Sequence, residues 1–371
     1  MSEQQCPPLL EQIPQDLVSV ADYEQLAARY IDHPVFEYIA GGAGDDITLR
    51  RNGTAFDELY LRTRVLKDFR AASTATQILG ERLPHPILLG PVAYQKLVHP
   101  LGELATATGA QAMDSILVAS TLSSASMEEI ATSTVGPKWF QLYMQPQRQQ
   151  SLSLVRRAEQ AGYRALVVTV DVPINGLRNR ARRAGFEMPE GVEAANLAAQ
   201  LHQPRTLTPG QSVVFDGLMA DAPNWDDLAW LISQTSLPVL VKGIMDPADA
   251  EQAAALGASG VIVSNHGGRS LDGLPASLDV LPAVRLAVGA DYPLLLDGGV
   301  RRGGDIFKAV ALGANGVLIG RPQVYALAVA GALGVAHMLR LLREELEVTM
   351  ALAGCPTIAD IGADSLWSTP N

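Results

Sequence analysis

The sequence is poor in the features that mark secreted, metal-binding and membrane proteins. It contains two cysteines, Cys6 and Cys355, which are too few for a disulfide framework or a zinc site and fit a reducing compartment. The residues up to Pro14 lack the basic and apolar regions of a signal peptide. No apolar run approaches the length needed to cross a bilayer, and the terminal Ser-Thr-Pro-Asn is not a peroxisomal address. We therefore expect a cytoplasmic protein with no membrane attachment and no bound metal.

Positive charge is also scarce. The chain has 28 Lys and Arg against 39 Asp and Glu, a formal net charge of −11, which argues against a nucleic-acid-binding protein. A small anionic substrate is not excluded, because a few local arginines can override the global sign. Hydrophobic residues make up 48% of the 371 residues, so a large core can form. The length lies within the range of an α/β barrel with insertions.

Short apolar runs recur along the chain, most of them followed by a segment with helical patterning. The runs are 87–89, 116–118, 139–142, 166–168, 239–241, 261–263, 294–296 and 317–319. Eight strands alternating with helices predict a (β/α)8 TIM barrel. A doubly wound sheet would alternate in the same way, and the count of eight favours the barrel. The repeat of 255–261 (Ala-Leu-Gly-Ala-Ser-Gly-Val) as 311–317 (Ala-Leu-Gly-Ala-Asn-Gly-Val) supports duplicated βα units.

We expect a single domain, 1–371. Two stretches of it do not follow the alternation of strands and helices. Residues 1–80 predict an N-terminal helical segment, in which Asp22 caps one helix and the glycines at 41–42 end another. Residues 181–224, after the fourth strand, are rich in Gly, Pro, Ala and Gln and have little strand pattern. Loops of this length are usually lids or disordered segments. We expect a mobile lid over the carboxyl-end face of the barrel.

Almost every predicted strand ends in reactive or glycine-rich residues. The sixth is followed by 264–269 (Ser-Asn-His-Gly-Gly-Arg), which contains His266 and Arg269. The two glycines between them allow the backbone to bend. Alone, such a pair is more often a tight turn with a surface arginine. The other strands end in Gly90, Ser120, Gln141 and Tyr143, Thr169 and Asp171, Lys242, Asp297 and Gly320. Barrel active sites are built from this face, so we expect the active site there.

The last two strand ends predict a phosphate site. Gly298 and Gly299 follow the seventh strand and Gly320 follows the eighth, and glycine leaves backbone N–H groups accessible. Arg301 and Arg321 supply positive charge, and a helix is expected to begin after Gly303 and Gly304. Loops after strands seven and eight are where barrels most often hold a phosphate. A phosphorylated cofactor is therefore expected.

Several longer runs resemble one known family. They are 241–243 (Val-Lys-Gly), 264–269, 296–303 (Leu-Asp-Gly-Gly-Val-Arg-Arg-Gly) and 319–322 (Ile-Gly-Arg-Pro). Shorter matches are Tyr38 with the following residues 40–43, and the segments 95–96, 140–143 and 169–171. These motifs are long, ordered and specific. Through them the chain from about residue 20 to 355 resembles the FMN-dependent 2-hydroxy-acid oxidases, a family that includes glycolate oxidase, lactate oxidase, lactate monooxygenase and mandelate dehydrogenase.

The resemblance implies six residues at the substrate. His266 would take the hydroxyl proton of an (S)-2-hydroxy acid while the C2 hydrogen leaves as hydride, or its equivalent, to flavin N5. Asp171 would orient the imidazole and stabilise its charged form. Two guanidinium groups would grip the substrate carboxylate and two hydroxyls would add donors, from Arg178, Arg269, Tyr38 and Tyr143.

The resemblance also implies an FMN site. Lys242 would face the N1/O2 edge of the flavin, where negative charge accumulates on reduction. The isoalloxazine ring would be held by Pro91, Val92, Ala93, Ser120, Gln141, Thr169 and Ser264. Asp297 would meet the ribityl hydroxyls, and the phosphate would lie against Gly298, Gly299, Arg301, Gly320 and Arg321.

The substrate and the electron acceptor stay open. Glycolate oxidases carry a tryptophan at the position of Leu122 and often a leucine at that of Asn175, so an acid with a lactate-like or larger substituent should fit here. O2 is the expected acceptor, giving H2O2, while a quinone-linked or other carrier-linked dehydrogenase and a lactate-type monooxygenase remain alternatives. A further alternative is a flavin-free barrel, either a lyase such as an aldolase with Lys242 as its Schiff-base lysine or a phosphosugar-binding protein. By resemblance alone we expect a homotetramer, with an octamer as the other possibility.

Overall fold

Three helices open the chain in a computed structural model that describes residues 6–197 and 206–367. They are α1 (Val20–Tyr30), α2 (His33–Ala40) and α3 (Ile47–Asp57). Ser19 caps α1: its Oγ accepts from the backbone N–H of Asp22 at 3.3 Å, and the Asp22 carboxylate accepts from the N–H of Ser19 at 2.7 Å. The prediction that Asp22 is the cap is therefore wrong, because Asp22 is the acidic partner in a capping box. As predicted, α2 stops at a glycine, Gly41.

The N-terminal segment also contains short strands, which the helical prediction for residues 1–80 missed. β1 (Tyr60–Leu61) pairs with β12 (Leu366–Trp367) near the other end of the chain. β2 (Thr76–Ile78) and β3 (Glu81–Leu83) form a hairpin, and its apolar side chains pack with those inside the barrel. A Cβ on Gly316, the first residue of a barrel strand, would lie 2.8 Å from Cδ1 of Ile78. The hairpin therefore closes the amino end of the barrel.

The eight predicted strands are all present and form a closed parallel barrel. They are β4 (Ile87–Leu89), β5 (Leu117–Ser120), β6 (Lys138–Leu142), β7 (Leu166–Thr169), β8 (Val239–Ile244), β9 (Gly260–Ser264), β10 (Leu294–Asp297) and β11 (Gly316–Ile319). β11 pairs with β4 to close the ring. Alternate residues of each strand fill the interior or face the helices. The (β/α)8 prediction is confirmed, and the doubly wound sheet is excluded.

Helices surround the barrel and cover its outer face. They are α4 (Glu103–Ala112), α5 (Met127–Ser133), α6 (Arg148–Gln160), α7 (Asn179–Arg183), α8 (Trp225–Ser233), α9 (Pro247–Ala255), α10 (Ser277–Val288), α11 (Gly303–Ala311) and α12 (Arg321–Ala353). α12 is kinked at Ala330 and Gly331, whose backbone is not helical. By length and composition α12 could cross a membrane, so the expectation that no run approaches this length is wrong. However, 67% of its apolar stretch is buried within the protein, as is common for a core helix.

The predicted lid, residues 181–224, is partly packed onto the barrel. Phe186 stacks on Tyr38 with ring centroids 4.2 Å apart. Asn196 is 2% exposed, and its Oδ1 accepts from the N–H of Met127 at 2.8 Å. Further on, Val213–Leu218 forms an exposed π-helical turn. The stretch 198–205 lies outside the described residues, and the mobility of the lid stays a prediction.

Candidate active site

The predicted site residues lie at the carboxyl ends of the barrel strands or in the loops that follow. One comes from elsewhere: Tyr38 belongs to α2. Arg178 is the last residue of the loop after β7 and directly precedes α7. Pro91, Val92 and Ala93 are half-buried in the loop after β4. The site therefore brings together residues that are far apart in the sequence, at one end of the barrel, as this fold requires.

The loop after β9 brings His266 against Asp171. His266 has a left-handed backbone with φ 59°, and Gly267 and Gly268 continue it with φ 62° and 73°. A Cβ on Gly268 would lie 2.6 Å from the backbone nitrogen of Leu49, so only glycine fits there. The Nδ1 of His266 lies 2.9 Å from Oδ1 of Asp171. A carboxylate partner places the proton on Nδ1 and leaves Nε2 as the basic nitrogen.

Burial and charge set the ionisation of this pair. Burial lowers the pKa of His266 and outweighs the opposing effect of Asp171, so the imidazole is neutral at neutral pH. Burial by itself would raise the pKa of Asp171, but His266 and Lys242 outweigh it and the pKa of the carboxyl is lowered. The Oδ2 of Asp171 is buried without a hydrogen-bond partner in the described chain. The arrangement is a neutral base beside an ionised carboxylate that can stabilise its protonated form.

Two arginines lie near this pair, and they are bonded differently. The Nη1 of Arg178 is buried without a hydrogen-bond partner among the described residues, and burial together with Arg269 lowers the pKa of Arg178 to about 9. The Nη1 of Arg269 instead donates to the carbonyls of Tyr38, Ile39 and Gly41 at 2.8, 3.1 and 3.0 Å. A buried cation without a counter-ion is costly. Arg178 is therefore suited to bind an anionic ligand.

Lys242, Ser264 and Asp297 form a buried charged cluster at the ends of β8, β9 and β10. The Nζ of Lys242 lies 2.8 Å from Oδ2 of Asp297 and donates to Oγ of Ser264 at 2.9 Å. Ser264 in turn donates to Asp297 at 2.7 Å. Burial would lower the pKa of Lys242, but Asp297 and Asp171 outweigh it and the pKa is raised. A lysine held protonated in this way argues against a Schiff-base nucleophile.

The two arginines predicted to bind phosphate lie close together, but both already bond to other groups of the protein. The Nε of Arg301 lies 3.1 Å from Oε2 of Glu24. Arg321 donates from Nε, Nη1 and Nη2 to the carbonyls of Ile39, Gly267 and Gly41 at 2.9, 2.9 and 3.0 Å. Both arginines line one cavity of about 350 Å³. The structure therefore brings them together, while Arg321 also holds the end of α2 against the loop after β9.

The helix predicted after Gly303 and Gly304 is present and already includes both glycines, and side chains accept hydrogen bonds from the backbone N–H groups at its start. α11 begins at Gly303, whose N–H donates to Glu345 at 2.7 Å. The N–H groups of Arg301 and Arg302 donate to Asp305 at 3.0 and 2.9 Å. These three N–H groups are therefore not free to bind a phosphate. The phosphate prediction then rests on the glycine loops and the two guanidinium groups.

A larger, mainly apolar cavity of about 1070 Å³ adjoins the site. Leu122, Tyr143 and Thr169 line it, and so do Leu218 and Met219 of the predicted lid. Asn175, the second position where this chain departs from glycolate oxidases, lines it as well. The described part of the 181–224 segment therefore does lie over the carboxyl-end face. The cavity offers space for an apolar group next to the polar site.

Sequence reasoning missed two supporting side chains. Glu103 is 2% exposed, and its carboxylate accepts from the N–H groups of Gln95 and Ser124 at 3.0 and 2.9 Å, which joins the loops after β4 and β5. Asn52 of α3 bonds to Asn265. A lone Glu or Asn on a predicted helix carries no local signal of such a partner, so only the tertiary structure could identify them.

The fold and the site define a barrel enzyme whose strand ends hold a base, a buried cation and space for an anionic cofactor. The model of the FMN-dependent dehydrogenase family matches residues 27–368, and the chain belongs to this family, that of the FMN-dependent 2-hydroxy-acid oxidases. It is 55% identical to an L-lactate oxidase of Alicycliphilus denitrificans, over 96% of this chain and 98% of that protein. It is 41% identical to glycolate oxidase 3 of Arabidopsis thaliana, with the same coverage of 96% and 98%.

A solved structure agrees with these relationships. The crystal structure of a mandelate oxidase with benzoyl-formic acid matches with a TM-score of 0.85 at 42% sequence identity, over 95% of this chain and 98% of that one. The cofactor of the chain is FMN, as the family implies. The prediction of an FMN-dependent oxidoreductase is confirmed.

The buried polar atoms of the site fit FMN. The Nε2 of Gln141 and the Oγ1 of Thr169 are buried at the ends of β6 and β7 without partners in the described chain, while Oε1 of Gln141 accepts from Ser120 at 3.1 Å. Unpartnered buried donors need an explanation, and the acceptor atoms of an isoalloxazine ring would provide one. The protonated Lys242 adds positive charge beside them.

Proposed function

We propose that the chain oxidises an (S)-2-hydroxy acid with a lactate-like or larger substituent to the 2-keto acid, and that O2 is reduced to H2O2. The observation that carries this proposal is the His266–Asp171 pair in the same site as the unpartnered cation of Arg178. A base and a carboxylate receptor are the two groups that a 2-hydroxy acid requires. Bound FMN supplies the two-electron acceptor for the C2 hydrogen and the means of passing electrons to O2.

The side chains of the site divide the work. Arg178 binds the substrate carboxylate with its free Nη1, and Arg269, anchored to the end of α2, directs its remaining donors to the same group. His266 takes the hydroxyl proton on Nε2, and Asp171 stabilises the resulting imidazolium. Tyr38 and Tyr143 add hydroxyl donors. Burial raises the pKa of Tyr143, so it stays protonated and able to donate.

The apolar cavity supports a substrate with an apolar C2 substituent. Leu122 stands where glycolate oxidases carry a bulkier tryptophan, and it lines the cavity together with Tyr143. A cavity of about 1070 Å³ leaves room beyond the methyl group of lactate. Relatives named L-lactate oxidase support the lower end of this size range.

The test is anaerobic mixing of the yellow holoenzyme with a panel of 2-hydroxy acids, followed by admission of O2. The proposal expects the flavin absorbance to bleach with the (S)-acids and peroxide to form in equal amount once O2 enters. Bleaching without fast reoxidation by O2 would favour the carrier-linked dehydrogenase. A decarboxylated product without peroxide would favour the monooxygenase.

The homotetramer and the cytoplasmic location belong to the same proposal. Exposed apolar side chains on and near the β1–β12 pair support an assembly: Tyr60, Val65, Leu66 and Trp367 are 61%, 78%, 101% and 58% exposed. A sedimentation mass equal to one 39.4 kDa chain would contradict an oligomer, and an octamer would appear at twice the tetramer mass. Cell fractionation tests the location.

A further inference from the structure

Asn52 and Asn265 form a reciprocal amide pair beneath the loop that carries His266. The Nδ2 of Asn52 donates to Oδ1 of Asn265 at 2.8 Å, and the Nδ2 of Asn265 donates to Oδ1 of Asn52 at 2.8 Å. The two residues are 2% and 0% exposed. In a buried site such a pair satisfies donors and acceptors that would otherwise be left without partners.

The amide of Asn265 fastens both ends of the loop that carries the base. Its Oδ1 also accepts from the N–H of Gly268 at 3.0 Å, and its Nδ2 also donates to the carbonyl of Pro275 at 3.0 Å. The first of these bonds joins Asn265 to Gly268 across His266, whose backbone is left-handed. That conformation is unfavourable for a residue with a Cβ and persists only where its surroundings impose it. The Asn265 amide helps to impose it, together with Oγ of Ser264, which accepts from the N–H of His266 at 3.0 Å.

Asn52, the other member of the pair, belongs to α3 and is held in place by further contacts. The N–H of Ser277 donates to Oδ1 of Asn52 at 3.4 Å, and Oγ of Ser277 donates to the carbonyl of Asp297 at 2.7 Å. A Cβ on Gly299 would lie 2.1 Å from the carbonyl oxygen of Asn52. Asn52 therefore lies between the loop after β9 and the loop after β10, in contact with both.

We propose that Asn52 is a positioning residue: through Asn265 it holds the backbone of His266 so that the imidazole meets Asp171 and its Nε2 faces the substrate hydroxyl. This inference rests on the proposed function, in which His266 is the base. Asn52 bonds to Asn265, which is next to His266 in the chain, and acts on the reaction only through that residue.

The primary experiment is a double-mutant cycle with Asn52→Ala, Asn265→Ala and the double variant in the FMN-loaded enzyme. Each single change should lower kcat by about 10- to 100-fold, because a misplacement of about 1 Å can cost this much. KM should change less, since Arg178 lies outside this loop and Arg269, which lies in it, is also held by the carbonyls at the end of α2. The double variant should lose little more than either single one, because the two amides act as a unit. Multiplicative losses in kcat would overturn the proposal.

Asn52→Asp covers the case in which the alanine variants fold poorly. The carboxylate has nearly the shape of the amide and accepts from Nδ2 of Asn265, but it cannot donate to Oδ1 when ionised. Its kcat should fall between those of wild type and Asn52→Ala, with FMN still bound. A wild-type kcat in this variant would mean that the donated bond does not position His266.

Thr48→Val is the matched control on the same helix. Thr48 accepts from the N–H of Leu274 at 2.9 Å and donates to its carbonyl at 3.1 Å, so the variant loosens α3 from the far end of the same loop. It should lower Tm and leave kcat within about twofold of wild type. An equal loss of kcat in Thr48→Val would show that general docking of α3, and no specific amide pair, is what matters.

A substrate-free readout separates this inference from the proposed function. The Nδ1–H proton of His266, bonded to Asp171, should give a downfield NMR resonance in ¹⁵N-histidine-labelled holoenzyme. Asn52→Ala and Asn265→Ala should shift or broaden it, and Thr48→Val should leave it in place. If no 2-hydroxy acid bleaches the wild-type flavin, the proposed function fails, while the resonance still tests the amide pair. An unchanged resonance in both alanine variants would overturn the inference.

Discussion

The Nδ1 of His266 lies 2.9 Å from Oδ1 of Asp171, although the two residues are 95 positions apart in the sequence. β7 leads to the carboxylate, and the left-handed turn after β9 directs the imidazole toward it. The bond fixes which ring nitrogen carries the proton, and so which one is free to act as a base. Several of the expected properties of the enzyme follow from this contact and its neighbours.

His266→Gln should retain FMN and substrate binding while nearly abolishing flavin reduction. The change removes the base but leaves Arg178, Arg301 and Arg321 untouched. Loss of a general base commonly costs about 10²- to 10⁴-fold, and coupling of proton removal to departure of the C2 hydrogen could increase the loss. Anaerobic stopped-flow absorbance measures it, with FMN content as the control. A near-normal reduction rate would mean that another residue is the base.

Asp171→Asn should lower the plateau rate and move the acid limb of the pH profile to lower pH. The base must be neutral, so activity is lost as pH falls through the pKa of His266, which burial already holds below its ordinary value of about 6.5. Without the carboxylate the pKa falls further, because the group that opposes burial is gone. The imidazolium also loses its counter-ion, at a cost of roughly 10²-fold or more in rate. An acid limb that moves to higher pH would contradict this account.

Arg178→Lys and Arg269→Lys should both weaken substrate binding and slow reduction, since lysine keeps the charge but loses the guanidinium fork. Only Arg269→Lys should also lower Tm, because Nη1 of Arg269 holds the carbonyls of Tyr38, Ile39 and Gly41. Calorimetry on the two holoenzymes makes the comparison. Equal Tm values would show that these backbone bonds contribute little to stability.

The ester of a good substrate provides the specificity control for the same two variants, because it has no carboxylate charge. Wild type should discriminate strongly against the ester, and the lysine variants much less. Steady-state kcat/KM for acid and ester gives the ratio. If wild type oxidises both equally well, Arg178 and Arg269 do not form the carboxylate clamp, and the hydroxy-acid assignment fails with them.

Leu122→Trp should shift preference toward smaller acids. The indole would fill part of the apolar cavity that Leu122 lines with Tyr143. We expect kcat/KM for acids with large apolar substituents to fall by about 10-fold or more, since a few methylene groups in a pocket are worth about 1–3 kcal/mol each. Glycolate should be affected least. Val135→Trp, at a surface site that is 87% exposed, is the control for adding an indole.

The sequence by itself determined the barrel and where its candidate site residues lie. The eight strands could be predicted because a strand buried on both faces is a short continuous apolar run, such as 261–263 or 294–296. The site residues could be predicted because carboxyl ends of barrel strands share one face, and because the runs around His266 and Asp297 resemble a known family. These signals come from residues that are neighbours in the chain, so they can be recognised from the sequence alone.

Only the tertiary structure decided which polar groups have hydrogen-bond partners within the protein and which do not. Arg178 and Arg321 look alike in the sequence, yet Arg178 has a buried Nη1 without a partner in the described chain, while Arg321 donates to three carbonyls. The start of α11 looks open, yet Glu345 and Asp305 occupy its first N–H groups. Hydrogen-bond partners distant in sequence leave no periodicity or motif, because they depend only on how separate elements pack. For the same reason the link from α3 to the base-bearing loop could be seen only in the folded chain.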